Sequence, residues 1–431
     1  LRKFLEEPLA RLKVASAWGS AVDLRGFLGK LERRGLLLKY QRPVSTKFEI
    51  ASILRRNEGR PVLFQRVKGF PMPVVGNLYS SQELLAMALG VSKGRLRDLV
   101  LRAIEHPREP RVQEMRGYEE LDPDLSKFPI LRHHPCEGGP YLTASIVIAS
   151  HRRLGMNASY HRMMVLDKQR VAVRIAPRHL ERFIQEGTKE VAICLGAPPS
   201  VALAAAISVE LSKSELAIAN AMSRTPMLKI EGHLVPPSEI VMLAEATGER
   251  HPEGPFLDLM GLPDEVRMER VFRIKKIFTR PNPIYQAILP GGSEHATLMG
   301  YPREVAIYRE VSKVCKCLEV RLTPGGRYWL HCLIKIRKEN PDDGVKALEA
   351  AFRAHPSLKH AWVVDEDIDI EKPEEVEWAM ATRFQAKRAL ITREEPGSSL
   401  DPSASEDGVT SKAGFDLTMP LERRERFLKV A

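Results

Sequence analysis

The stretch from about residue 140 to 245 constrains the fold more than any other part of the chain. "YLTASIVIAS", "YHRMMVLDKQRVAVRIAP" and "EVAICLG" are strand-like, rich in Val and Ile and separated by turn residues. Between them lie "RHLERFIQEG" and "SVALAAAISVELSKSELAIANAM", which read as helices. Strands and helices in this irregular order fit a barrel or curved sheet with inserted helices better than a regular βαβ series. Neither GxGxxG nor GxxxxGK[ST] occurs, so a Rossmann or P-loop nucleotide site has no support.

The flanking segments differ in kind. "DLRGFLGKLERRGLLLKY" opens with Asp23 as a helix N-cap and carries Leu24, Phe27, Leu28 and Leu31 at helical spacing. "PVLFQRV" and "PMPVVGNL" read as a hairpin around Gly69, and "SSQELLAMALG" as a capped helix ending at Gly90. After "RPNPIYQAILPGGSEHA", the strand "GRYWLHCLIKI", the helix "DDGVKALEAAFRAH" and the strand "LKHAWVVDEDIDI" suggest another compact domain. "REEPGSSLDPSASEDGVTSKAG" is Ser-, Pro- and Gly-rich and reads as a surface loop. At 431 residues, two or three domains are expected.

Composition excludes several classes. No run of 18 apolar residues exists, so no membrane span is expected. "LRKFLEEPLARLK" lacks the features of a secretory signal, and a cytoplasmic location is expected. Cys136, Cys194, Cys315, Cys317 and Cys332 form no CxxC pair and no zinc spacing, which reads as buried thiols in a reducing compartment. Cys315 and Cys317 alternate as a strand would, both facing one core side. The net charge of +11 is spread among acids rather than gathered in a block, which argues against nucleic acid as a partner. Six Asn and eight Gln among abundant charge resemble a thermophile's composition. An anionic, phosphorylated small ligand is the second source of the positive balance.

Three constellations carry chemistry. In "GMNASYHRMMV", a strand over 159–165 would put Tyr160 and Arg162 on one face and His161 on the other. An arginine bordered by Met, Met and Val is costly unless it meets an anion. Glu215 in "SKSELAIANAM" begins an otherwise apolar helix, and alone it reads as a solvent-facing first-turn acid. In "HPEGPFLDLMG", Glu253 and Asp258 flank a Gly-Pro turn, and alone they read as surface turn residues. Taken together they change meaning. Asn157, Glu215 and a histidine such as His179 supply amide oxygen, carboxylate and imidazole, which suit Mn²⁺ or Mg²⁺ rather than zinc. Arg162 would pair with Glu253, leaving Asp258 to exchange a proton. An extended path would separate the two acids by roughly 17 Å, so the Gly254-Pro255 turn must bring them together.

The ordered set "NASYHR", "PRHL", "VPPSEIV", "EGPFLDLMG", "PGGSEHATLMGYPREVAI", "VEWAMATR" and "SSLDP" with "TSKAGFDLT" resembles the UbiD family of decarboxylases, which use prenylated flavin mononucleotide (FMN). The resemblance runs almost end to end. It implies an α+β chain: an N-terminal α/β domain over 1–110, a central split β-barrel flavin-binding domain over 111–295, and a C-terminal α/β domain over 296–431. It implies that Asn157, His179 and Glu215 ligate Mn²⁺ (or Mg²⁺) at the flavin phosphate, with K⁺ as a further ion. Tyr160, His161, Arg162, Arg174, Ile175, Ala176, Arg178 and His179 would line the prenylated FMN. Arg162, Glu253 and Asp258 match the family's catalytic triad, with Asp258 as proton donor. Lys412 is a candidate to reach the flavin phosphate or the substrate.

The implied substrate has a double bond or aromatic ring beside its carboxylate. "SEIVMLAEATGER" lacks an extra Glu-Gly found in many members, and the chain is short; both argue against a long prenyl tail or a bulky aromatic acid. Compactness and positive charge make the chain similar to the family's archaeal branch acting on trans-anhydromevalonate 5-phosphate. Aromatic-acid decarboxylation and non-catalytic flavin binding are the alternatives. A flavin prenyltransferase would supply the cofactor, and a homo-oligomer, dimer or hexamer, is expected.

Overall fold

The structure, a computed structural model, describes residues 22–427. The opening "LRKFLEEPLARLK" lies outside them. The chain divides into two compact units, one up to Leu298 and one from Met299.

In the first unit, helix α1 (Leu24–Arg33) starts where the Asp23 side chain accepts a hydrogen bond from Gly26 N, and it buries Leu24, Phe27, Leu28 and Leu31. Strands β1 (Leu38–Tyr40), β2 (Val62–Phe64) and β3 (Val74–Gly76) form a small sheet. β2 and β3 are the antiparallel hairpin read from sequence. Tyr285–Gln286 adds a fourth strand, parallel to β3, from far along the chain. Helices α2 (Glu49–Arg56), α3 (Gln82–Ala88) and α4 (Lys93–Glu105) follow, α3 capped by Ser81 and followed by Gly90 at φ +73°.

The central sheet runs β4 (Tyr141–Leu142), β5 (Ile146–His151), β6 (Gly155–Tyr160), β7 (Met163–Val165), β8 (Arg170–Val173), β9 (Glu190–Leu195), β10 (Ile240–Glu253) and β11 (Arg267–Thr279). Its spatial order is β4-β7-β8-β11-β10-β9-β5-β6, and Glu119–Leu121 pairs beside it on β11. The expected barrel is realised as an open sheet: among the described residues its edge strands β4 and β6 do not pair. β10 and β11 form its spine, and two register shifts between them, after Leu243 and Ala246, introduce bulges that bend the sheet. Helices α5 (His179–Gln185), α6 (Pro199–Ala204) and α7 (Glu215–Ser223) interrupt the strands.

The sequence reading fails at one informative place. The strand expected over 159–165 ends at Tyr160 and resumes at Met163, so His161 and Arg162 sit between β6 and β7. His161 N turns to Ser145 O at 3.1 Å, and its ring nitrogen Nδ1 lies 3.0 Å from Arg174 O. The apolar residues after Arg162 conceal this break, because they continue the alternation.

The second unit holds a five-stranded sheet: β12 (Lys316–Leu322), β13 (His331–Arg337), β14 (His360–Asp365), β15 (Leu390–Pro396) and β16 (Val409–Asp416), in the order β12-β13-β14-β16-β15. Helix α8 (Ser293–Val311) leads into it. β13, helix α9 (Asp343–Ala354) and β14 form the expected strand–helix–strand unit, with β13 and β14 parallel. Helix α10 (Pro373–Arg383) follows. The expected loop "REEPGSSLDPSASEDGVTSKAG" contains the paired ends of β15 and β16. Alternating exposure along β15 explains why its composition reads as loop. All five cysteines are free; Cys194, Cys317 and Cys332 are buried as expected, Cys136 and Cys315 only half-buried, and Cys315 and Cys317 pack against the same core. No helix among the described residues is long and apolar enough to cross a membrane.

Glu294, near the start of α8, is wholly buried. Its Oε1 accepts from Tyr79 N at 3.3 Å, Oε2 has no hydrogen-bond partner among the described residues, and burial raises its pKa to about 8. The acid therefore folds neutral. An unfolded chain releases this proton near the ordinary value, so stability falls as pH rises from about 4.5 towards 8. Thermal melts at stepped pH should show this decline in the wild type and a flatter one in Glu294→Gln.

Candidate active site

Between the spine strands the chain makes a detour. β10 ends at Glu253, whose register partner on β11 is Arg267. The intervening residues turn at a cis Gly254-Pro255 peptide and form a small hairpin, Phe256–Leu257 against Pro263–Asp264. Gly254 sits at φ +112°, a region costly for any residue with a Cβ. Gly138 abuts the turn so closely that an added Cβ would stand 2.2 Å from Gly254 O. Gly138 N also donates to Pro255 O at 3.0 Å.

The end of β10 and this detour together deliver three carboxylates to one guanidinium. Arg162 Nε and Nη2 donate to Glu253 Oε1 and Oε2, both at 3.0 Å, in a bidentate pair. Nη1 donates to Asp258 Oδ2 at 2.6 Å, and Nη2 also to Asp264 Oδ2 at 2.7 Å. The Arg162 side chain is 10 % exposed, Glu253 0 % and Asp258 17 %, so neither reading of the acids as surface turn residues holds. Arg162 does pair with Glu253, as expected. It also pairs with Asp258, which the sequence reading left unpaired.

Around this cluster lies an apolar wall. The Arg162 guanidinium stands 4.6 Å from the Phe256 ring centroid, and Phe256 packs on Tyr141 at 4.6 Å. Tyr141, Met164, Ala172 and Phe256 form one buried cluster. The Tyr141 phenol is pushed well above its ordinary pKa, by burial first and by the Glu253 carboxylate second. The carboxylates, aided by hydrogen bonding, raise the Arg162 pKa over the opposing effect of burial, so Arg162 stays charged.

The second constellation lies along β6. Glu215, the first residue of α7, is buried rather than solvent-facing, and its Oε2 accepts from Ala158 N at 3.0 Å. Asn157 Nδ2 lies 3.3 Å from both Glu215 oxygens, and His179 Nδ1 lies 3.7 Å from Oε1. The three residues thus come together. Among the described residues no group of three or more His, Cys, Asp or Glu side chains is placed to hold a metal, and this set contains only two such side chains.

A proton count tests whether the set fits a cation. Burial depresses the His161 pKa to about 4, so its ring is neutral near pH 7. Its Nδ1–H must donate to the Arg174 carbonyl, leaving Nε2 an acceptor for the Ser159 hydroxyl at 2.9 Å. That hydroxyl also lies 3.0 Å from Asn157 Oδ1 and has one proton only. The conflict resolves if the Asn157 amide turns over, so that Nδ2 donates to Ser159. Its oxygen then faces the Glu215 carboxylate, an arrangement that calls for a cation between them. The donor set fits the expected metal.

The remaining cofactor candidates follow β8 and the start of α5. Arg174 pairs with Glu269 at 2.8 Å, Ile175 is buried, Ala176 is half-buried, and Arg178 is exposed at the N-cap of α5. Tyr160 ends β6 beside His161. Lys412 is buried within the second unit, donating to Pro356 O and paired with Glu395 at 3.2 Å. Sequence reasoning missed Asp264, Arg267, Tyr141 and Ser159. Only Tyr141 had a usable signal, an aromatic opening a strand-like run.

Three family models match in succession and cover most of the chain. They are the N-terminal, Rift-related and C-terminal domains of 3-octaprenyl-4-hydroxybenzoate carboxy-lyase, at residues 28–103, 104–293 and 296–417. The chain belongs to the UbiD family. It is similar to an anhydromevalonate phosphate decarboxylase of Methanothermobacter thermautotrophicus, with 40% identity over 95% of this chain and 99% of that one. Among solved structures it resembles the UbiD-class enzyme HmfF of Pelotomaculum thermopropionicum in complex with FMN. There the TM-score is 0.91 and the identity 35%, over 95% of this chain and 97% of that one. An evolved dimeric form of HmfF in complex with prenylated FMN gives a TM-score of 0.87 at 32% identity, over 95% and 97%.

Removing the guanidinium would leave three carboxylates crowded in a largely buried site. Arg162→Met should therefore cost about 3–5 kcal/mol of stability, measurable by denaturant unfolding.

Proposed function

We propose that the protein is a prenylated-FMN-dependent decarboxylase of an α,β-unsaturated acid, with anhydromevalonate phosphate as substrate. The observation that carries this reading is Arg162 gripping Glu253 bidentately while holding Asp258 by a single nitrogen. Glu253 fixes the guanidinium. Asp258 delivers a proton to the carbon that has lost CO₂. The Phe256 and Tyr141 wall excludes bulk water, which would otherwise hydrate and weaken the donor.

Tyr160, His161, Arg162, Arg174, Ile175, Ala176, Arg178 and His179 would line the flavin. Asn157, His179 and Glu215 would hold Mn²⁺ or Mg²⁺ beside its phosphate, with K⁺ as a further ion. When bound, the prenylated flavin supplies the electron sink for loss of CO₂. A flavin prenyltransferase provides it, and the protein works as a homo-oligomer in the cytoplasm, whose reducing conditions suit five free thiols. An N-terminal domain to residue 110 and a C-terminal one from 296 flank the catalytic domain.

The flavin-loaded protein should release CO₂ from anhydromevalonate phosphate and ignore prenylated hydroxybenzoate; the reverse preference sinks the reading. Asp258→Asn should lower turnover by at least about a hundredfold with flavin absorbance unchanged. The wild type should purify with a divalent metal and Glu215→Gln without it, read by elemental analysis.

A further inference from the structure

Asp264 is a third acid on Arg162, and it differs from the other two. Its Oδ2 accepts from Arg162 Nη2 at 2.7 Å, while its Oδ1 lies 2.6 Å from Nη1 of Arg267, the first residue of β11. It bridges two guanidiniums, whereas Asp258 has one, plus Leu259 N at 2.6 Å. The hairpin register fixes it there, with Asp264 opposite Phe256. Burial is the largest single influence on its carboxyl and acts upward, but Arg267 and Arg162 together outweigh it and hold the group below the ordinary range.

The contacts divide the work on Arg162. Glu253 and Asp264 occupy Nε and Nη2, and Asp258 alone occupies Nη1. Asp258 can therefore leave without freeing the guanidinium. Counting charges, three carboxylates face two guanidiniums, so the cluster is one negative charge in excess when fully ionised. Of the three acids Asp258 is the most exposed, at 17 % of its side chain against 10 % for Asp264 and 0 % for Glu253.

We propose that Asp264, clamped by Arg267, is a positioning residue that keeps Arg162 anchored while Asp258 leaves it to deliver the proton. This rests on the decarboxylase reading. In the step itself the Asp258 O–H bond breaks, a C–H bond forms at the former carboxyl-bearing carbon, and Asp258 returns as carboxylate to Nη1. The charged and titratable groups facing Asp258 are Arg162, Glu253 and Asp264, with Arg267 and Glu265 beyond Asp264 and Tyr141 beyond Glu253.

Two substitutions of opposite sign test it on the flavin-loaded protein. Because the donor must be protonated, the rate falls on the alkaline side of the pH profile of kcat/KM. Asp264→Asn removes a negative charge and should move that midpoint down by about one pH unit; Arg267→Met removes a positive charge and should move it up by a similar amount. An infrared titration of the acid carbonyl band, identified by its loss in Asp258→Asn, should shift in the same two directions without any turnover. Rate losses with unmoved midpoints in both measurements would overturn the role and leave Asp264 merely structural. A wild type with a titrating Asp258 band but no CO₂ release from any unsaturated acid would instead defeat the decarboxylase reading alone.

Discussion

The structure turns on a charged guanidinium placed where water scarcely reaches. Taking one such ion out of water costs several kcal/mol, and a buried carboxylate such as Glu253 costs a comparable amount. Each is tolerable only because the other is there. Arg162 comes from the break between β6 and β7, Glu253 from the end of β10, and Asp258 and Asp264 from the hairpin beyond it. None of these elements can move far without exposing an uncompensated charge. The Arg162–Glu253 pair thereby couples parts of the sheet that lie 91 residues apart in sequence. Packing supports the same arrangement: Phe256 is covered by Tyr141 on one side and by Arg162 on another.

β6 joins this cluster to the second one. Within a few residues it carries Asn157 towards Glu215, Ser159 towards His161, and then releases the chain so that Arg162 reaches the acids. A continuous strand could not do this, because alternate side chains would hold Arg162 to the face of Tyr160. The neutral His161 ring is the hinge pin. Its two nitrogens tie the break to Ser159 on one side and to the Arg174 carbonyl on the other. The same hydrogen-bond chain meets the Asn157 amide, so the Asn157–Glu215 pair and the acid set are oriented by one piece of backbone.

The residue types of the site were legible, while their full connectivity was not. Arg162 stands out because charge beside apolar neighbours needs a reason, and Glu253 and Asp258, which alone read as turn acids, take their meaning from it. Asp264 carried no such mark. It lies in "LPDEV" like any turn acid, and only the register that sets it opposite Phe256 folds it back onto Arg162. Glu215 read as exposed because a first-turn helix acid is ordinarily solvated; tertiary packing against Ala158 overrode that preference. Short-range features, such as the Asp23 and Ser81 caps and the β2–β3 hairpin, followed from local chemistry. The order of the central sheet did not, since its pairings join strands far apart in sequence.

The detour from Gly254 to Val266 makes little sense as scaffolding. β10 and β11 pair as far as Glu253 and Arg267, and a tight turn could close them there. Instead the chain commits Gly254 to a positive φ and leaves Leu262, Val266 and Met268 about half exposed around the detour. What it gains is a difference in support between two acids. Glu253 is part of the long paired strand and wholly buried, which makes it a fixed support. Asp258 sits in the turn of a two-residue hairpin, held by Leu262 O through its own amide and, through its side chain, by one guanidinium nitrogen and the neighbouring Leu259 N. Such a carboxylate can change partner without disturbing the sheet beneath it, as the proton donor proposed above has to do once in every turnover.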